Sequence, residues 1–271
     1  MVIWRLLITE PAAGAWNMAV DEAVATLAAR GESPPTLRFY RWQPGAVSLG
    51  RHQPHQDVDP ERLQAHGYDL VRRPTGGRAI LHIDELTYSV AGPQQEPRLA
   101  GAVLDAYHRI SQGLALGLRR LGVDAVEAAL PGPRSGSQPG PVCFETPSAY
   151  ELCVAGRKII GSAQSRRAGY VLQHGSLPLE GDITRLVDVL ALPQEARAQQ
   201  QAQLAARAST LAALMGRRVT FWEAAAALID GLTTALEIDL QEGELSPAEL
   251  ALAQTLHTAQ YTSTAWLHRV S

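Results

Sequence analysis

The feature that constrains this chain most is a change of rhythm at Asp182. Before it, short apolar runs are broken every few residues by Gly, Pro or charged groups, the pattern of strands and turns. After it, the chain is rich in Ala and Leu at helical spacing. Val2–Ile8 reads as a strand, followed by a turn at Pro11–Gly14 and a helix over Asn17–Ala29, where Asp21 and Glu22 sit beside the apolar stripe. Thr36–Trp42 and Ala46–Leu49 read as two strands joined at Pro44–Gly45, and Tyr68–Arg72 and Glu85–Ala91 as two more flanking a glycine-bearing segment. Asp59 is placed to cap a short helix, Pro60–His66, with proline in its favoured first position. Arg98–Leu121 is a long amphipathic helix. Strands are expected at Ala149–Val154, Lys158–Ala163 and Tyr170–Leu177, with a hairpin turn at Ala155–Gly156. Helices are expected near 183–190, 194–214, 220–236 and 246–258. Pro131–Pro141, the one low-complexity stretch, reads as a flexible loop. The expected fold class is α/β in the mixed α+β sense, one domain over residues 1–271 with a helical C-terminal tail from about residue 182.

Composition then removes several function classes. A net charge of −3 supplies no basic field for nucleic acid or an anionic membrane. No apolar run approaches the ~18 residues of a membrane span. The start, Met1 to Glu10, is interrupted by Arg5 and lacks the apolar core and cleavage site of a signal peptide. The 2 cysteines, Cys143 and Cys153, are too few for a disulfide scaffold or a zinc ribbon. A cytoplasmic protein with free thiols is expected, with no metal, no nucleic acid and no membrane partner.

Among the 24 basic residues, Lys158 alone is a lysine. Base composition can replace lysine by arginine wherever a generic positive charge suffices. A lysine that persists points to a task arginine cannot perform, since lysine shifts its pKa and exchanges a proton. Lys158 opens the strand after the Ala155–Gly156 turn, which can bring it back beside the segment bearing Cys143. A neighbouring ammonium favours the thiolate of a cysteine. Cys153 lies inside a strand and reads as structural.

The densest chemical segment is Arg72-Arg73-Pro74-Thr75-Gly76-Gly77-Arg78-Ala79-Ile80-Leu81-His82. Adjacent glycines let backbone N–H groups approach a carbonyl or phosphate, and flanking arginines offer bidentate donors. A Gly-Gly hairpin with solvated arginines fits the spacing equally well. It is not a Walker A loop, and neither H-E-x-x-H nor G-x-S-x-G occurs. His52 and His55 have metal-like spacing without a third ligand, His82 and Asp84 alternate on one strand edge, and His174 reads as a satisfied structural histidine.

Taken together, Asn17–Ala23, Trp42–Gln53, Arg72–His82, Glu85–Ser89, Cys143–Leu152, Gly156–Gln164 and Tyr261–Trp266 resemble the lipoate–protein ligase / biotin–protein ligase family. Within it, they are most similar to a branch of cysteine-dependent octanoyltransferases. The resemblance implies a mixed sheet flanked by helices, like the catalytic domain of biotin ligases and class II synthetases. It implies transfer of an octanoyl group from octanoyl-acyl carrier protein to a lysine of a lipoyl-domain protein, the H protein of glycine cleavage, by a monomer without a cofactor. It carries the catalytic roles onto Cys143, the nucleophile, and Lys158, which lowers its pKa, and acyl binding onto Arg73, Gly76, Gly77 and His82. The ATP-dependent ligases of the family commonly have a third glycine where this chain has Arg78, and do not depend on a cysteine at the position of Cys143. A neighbouring branch, which moves octanoyl from H protein to other lipoyl domains, also uses a cysteine. Its motif is less similar to Cys143-Phe144-Glu145-Thr146-Pro147-Ser148.

Overall fold

The computed structural model describes residues 2–124, 126–128 and 151–270. Cys143, the Pro131–Pro141 stretch and the start of the strand expected at Ala149–Val154 lie outside the described residues.

Strand β1 (Val2–Ile8) leads into α1 (Gly14–Ala29), then β2 (Thr36–Tyr40) and β3 (Ala46–Leu49). Helix α2 (Pro60–Ala65) begins at Asp59, whose carboxylate accepts from the Glu61 and Arg62 N–H groups as the sequence predicts. There follow β4 (Asp69–Arg72), β5 (Ile80–His82), β6 (Glu85–Pro93), α3 (Val103–Arg120), β7 (Val126–Ala128) and β8 (Leu152–Val154). The long hairpin β9 (Arg157–Arg167) and β10 (Tyr170–Pro178) comes next, then a 3-10 segment at Ile183–Val189. The remainder comprises α4 (Gln194–Arg207), α5 (Leu211–Met215), α6 (Phe221–Leu236), β11 (Ile238–Glu242), α7 (Pro247–Leu256) and α8 (Thr264–Leu267).

Among the described residues, the main sheet has the order β11-β1-β2-β6-β10-β9-β8-β7, and β4-β3-β5 form a smaller sheet. β1 runs parallel to both β2 and β11, while β2, β6, β10, β9 and β8 pair antiparallel in succession. Strand periodicity sends side chains to both faces. Leu37 and Phe39 of β2 enter one cluster with Ile110 and Leu114 of α3 and Leu228 and Leu232 of α6. Tyr40 enters another on the opposite face, with Val20 and Val24 of α1 and Ala253 of α7. A third cluster joins the small sheet to the 3-10 segment and α4 through Val47, Leu49, Leu186 and Leu204.

The structure corrects the sequence reading in four places. The C-terminal tail is not wholly helical, because Ile238–Glu242 pairs in parallel with β1 at the sheet edge. The strands either side of Pro44–Gly45 are not paired with each other, since β2 belongs to the main sheet and β3 to the small one. The helix expected over 194–214 is broken after Arg207, where the Ser209 N–H donates to the Lys158 carbonyl (3.1 Å). Residues 80–82, read as part of the glycine-bearing segment, form β5 against β3.

Candidate active site

A cavity opens between the small sheet and the β9–β10 hairpin. Met18 of α1, Tyr40 and Trp42 after β2, Ile80 and His82 of β5, Gly161–Ala163 of β9 and His174–Ser176 of β10 line it, with Ser48, Arg73 and Thr87. These elements meet there because β10 bonds to both β6 and β9 along its length.

Each polar side chain of this wall hydrogen-bonds to the protein itself. Glu85 accepts from His82 Nδ1–H (2.7 Å) and, through short bonds, from the hydroxyls of Thr87 and Ser176. The Nε2 of His82 meets the Ser48 hydroxyl at 2.7 Å, and Trp42 stacks on the imidazole at 3.9 Å while its indole N–H donates to Thr87 (2.8 Å). The guanidinium of Arg73 donates to the carbonyls of Ser48, Gly76 and Arg78, each at 2.8 Å. Ser162 and the Tyr88 hydroxyl bond at 2.7 Å, and burial pushes the Tyr88 phenol up to about 12.

Behind this wall lies a buried charge network. Asp21 accepts from Arg38 (2.7 Å), Ser89 (2.8 Å) and Tyr40 (2.8 Å), and Asn17 Oδ1 accepts from the same guanidinium (2.8 Å). Burial alone would raise the carboxyl pKa of Asp21, yet the Arg38 charge, His174 and the Tyr40 hydroxyl together hold it below its ordinary value. Burial also pushes the His174 imidazole below its ordinary value, outweighing the pull of Asp21. His174 meets the Asp21 carboxylate at Nδ1 (3.3 Å) and the Thr75 hydroxyl at Nε2 (2.6 Å). Burial and the adjacent Asp21 charge push the Tyr40 phenol well above its usual range.

Arg73 and His82 both line the cavity wall. Gly76 and Gly77 lie in the loop that Arg73 holds rather than in the wall, and a Cβ on Gly50 would fall 1.9 Å from the Gly77 oxygen. Lys158 lies on β9, three residues before Gly161 of the wall, and its buried ammonium donates to the buried Glu151 at 2.5 Å. Cys153 is buried at the register position opposite Lys158. Asp84 pairs instead with Arg185 at 2.7 Å, outside the wall, and His55 stacks on His268. Sequence reasoning missed Glu85, Ser48, Ser176 and Asp21 as site residues. A signal for the first was present: β6 is buried along most of its length, yet every second residue from Glu85 through Thr87 to Ser89 is polar.

The sequence pattern described as "Lipoyl protein ligase A/B catalytic domain" matches residues 13–233, which contain the whole cavity. The chain belongs to this family. Its relatives in the lipoyl protein ligase A/B family include proteins named octanoyltransferase LipM. That of Symbiobacterium thermophilum is 46% identical over 271 residues, covering 97% of each chain. That of Bacillus subtilis is 39% identical over 277 residues, covering 98% of each. Among solved structures, the chain resembles one of the bi-partite lipoate protein ligase system of Thermoplasma acidophilum. The two share a TM-score of 0.83 at 25% identity, over 100% of this chain and 98% of the other. The mixed sheet flanked by helices is the fold of this family.

Proposed function

We propose that this enzyme is an octanoyltransferase of protein lipoylation. It moves an octanoyl group from octanoyl-acyl carrier protein, through a thioester on Cys143, to a lysine of a lipoyl-domain protein, the H protein of glycine cleavage. The observation that carries this reading is the cavity wall whose polar groups all bond inward. Such a wall offers no unpaired charge to a ligand, so it suits an alkyl chain. Burying the seven aliphatic carbons of an octanoyl tail contributes roughly 5–6 kcal/mol at ~0.8 kcal/mol per methylene. The near-full-length likeness to proteins named octanoyltransferase supports the same substrate.

The chemistry requires no ATP, because the carrier's thioester is already activated. The Cys143 thiolate attacks the carbonyl, a new S–C bond forms, and the carrier thiol leaves. The amine of the acceptor lysine then attacks this acyl-enzyme, forming the amide and returning the cysteine. Lys158 stabilises the thiolate and relays the proton, with Glu151 as the counter-charge that lets an ammonium sit in a buried place. Arg73 and His82 shape the acyl wall, and Gly76–Gly77 form the adjoining loop whose N–H groups position the acyl carbonyl. No cofactor enters. Residues 1–271 act as one catalytic domain, in a monomer in the cytoplasm.

The test is transfer to purified H protein from octanoyl-acyl carrier protein, compared with transfer from free octanoate plus ATP. Product from the carrier without ATP and without pyrophosphate release is expected. Activity confined to octanoate plus ATP would make the chain a ligase, and activity only from octanoyl-H protein to other lipoyl domains would make it an amidotransferase.

A further inference from the structure

The end of β9 remote from Lys158 carries positive charge that the acyl cavity does not use. Arg167 closes that strand. Arg51 follows β3, and its backbone N–H donates to the Thr75 carbonyl (2.8 Å). Arg269 belongs to the C-terminal segment, which Arg72 holds through the carbonyls of Trp266 and Leu267. The guanidinium carbons of Arg51 and Arg269 stand over the same Trp266 ring, 5.5 Å and 4.7 Å from its centroid. None of Arg51, Arg167, Trp266 and Arg269 lines the acyl cavity. Burial and the charges of Arg167 and Arg269 push the Arg51 guanidinium below its ordinary pKa, and burial and Arg269 do the same to Arg72. The carboxylate whose charge opposes this on Arg51 is Glu22. Its oxygens are already taken by Arg167 (2.6 Å), Gln260 (2.9 Å) and the hydroxyls of Tyr170 and Tyr261.

We infer that this end of the molecule binds a small tetrahedral oxyanion of the phosphate class, held by Arg51, Arg167 and Arg269 beside Trp266. Three observations carry the inference. First, Arg51 Nη1 is buried and has no hydrogen-bond partner among the described residues. A charged donor left in that state is costly, and an oxyanion oxygen is the acceptor that a guanidinium matches best. Second, like charges are gathered here although the chain as a whole has a net charge of −3. Their mutual repulsion is relieved by a multiply charged anion and not by Glu22, which is already bonded to four donors. Third, two of the guanidinium groups share one aromatic ring, so their charge acts at one place instead of being spread along a face. That concentration, with a donor atom below the surface, suits a compact ion able to reach inward and not the broad acidic surface of another protein. Bound there, the anion ties together the end of β3, the end of β9 and the C-terminal segment. The inference goes beyond octanoyl transfer and does not depend on it.

The experiment titrates the full chain with inorganic phosphate by calorimetry and follows its thermal midpoint, with chloride and acetate at matched ionic strength as controls. Phosphate is expected to bind saturably and to raise the midpoint with concentration, beyond any effect of the controls. Arg269→Gln and Arg51→Gln are each expected to weaken phosphate binding about tenfold or more. Arg269 is exposed, so its replacement leaves the packed side of the site intact should Arg51→Gln fold poorly. Arg217→Gln, which removes an exposed guanidinium paired with Glu223, is expected to leave phosphate binding unchanged. Glycerol 3-phosphate in a parallel titration separates the sources: tighter binding than phosphate assigns the site to a monoester, and weaker binding to the free ion. Equal stabilisation by chloride or acetate would overturn the inference, as would phosphate binding that both Arg269→Gln and Arg51→Gln leave intact. No acyl donor enters the measurement, so its failure would leave the octanoyltransferase reading standing.

Discussion

Asp21 is the residue on which the rear of the acyl cavity depends. It bonds at once to Arg38, Ser89, Tyr40 and His174, all buried. Asp21→Asn would leave the Arg38 guanidinium buried without its counter-charge. That loss is expected to cost about 3–5 kcal/mol in urea denaturation. His174 adds a pH dependence whose sign follows from its lowered pKa. Below the ordinary histidine value of about 6.5, the unfolded chain binds a proton that the folded one refuses. Stability is therefore full above that value and falls as pH drops through the window between the unfolded and folded pKa, by up to about 1.4 kcal/mol per pH unit. His174→Gln should remove this slope below pH 6.5 in melts recorded at fixed salt, whereas an unchanged slope would assign it elsewhere. Lys158 is the residue-scale element of the mechanism. If it tunes Cys143, Lys158→Met should move the pH midpoint of iodoacetamide alkylation of Cys143 upward, and an unmoved midpoint would reduce Lys158 to a structural partner of Glu151.

At the scale of elements, the acyl wall depends on how closely the Gly76–Gly77 loop seats on the end of β3. The 1.9 Å from a Cβ on Gly50 to the Gly77 carbonyl oxygen leaves no room for a methyl group. Gly50→Ala should displace the loop that Arg73 holds, costing about 1–3 kcal/mol of stability. Because the acyl wall moves with it, KM for the acyl donor should also rise. Unchanged KM with lowered stability would separate the loop from substrate binding.

What was legible at this scale was local. Ala155 and Gly156 both adopt positive φ, 48° and 74°, as a tight hairpin turn demands, and Asp59 caps the helix it precedes. What was not legible depended on distant partners. β11 is a short and mostly exposed edge strand that pairs with β1 alone and buries little beyond Ile238, and β5 is three residues long. His82 stood out beside the glycines, but Ser48, Ser176 and Glu85 become site residues only when β3 and β6 bring Ser48 and Glu85 to its imidazole and β10 brings Ser176 to Glu85. No periodicity within a single strand records that meeting.

At the scale of the whole molecule, two faces of one sheet do different work. α3 and α6 pack one face into the largest apolar cluster, while α1 and the small sheet meet the other around the charge network and the acyl cavity. The C-terminal segment is tied back to this side, since the buried Arg72 donates to the carbonyls of Trp266 and Leu267 and the Trp266 indole N–H donates to the Arg72 carbonyl. Lys158 lies on β9, three residues before Gly161 of the cavity wall, and the central claim is that Cys143 carries the acyl group during transfer. The most direct measurement is the intact mass of the protein after mixing with octanoyl-acyl carrier protein in the absence of ATP. The account predicts one octanoyl adduct, released by hydroxylamine, absent in Cys143→Ser and retained in Cys153→Ser. An adduct that persists in Cys143→Ser, or none in the unsubstituted protein under conditions where transfer proceeds, would contradict it.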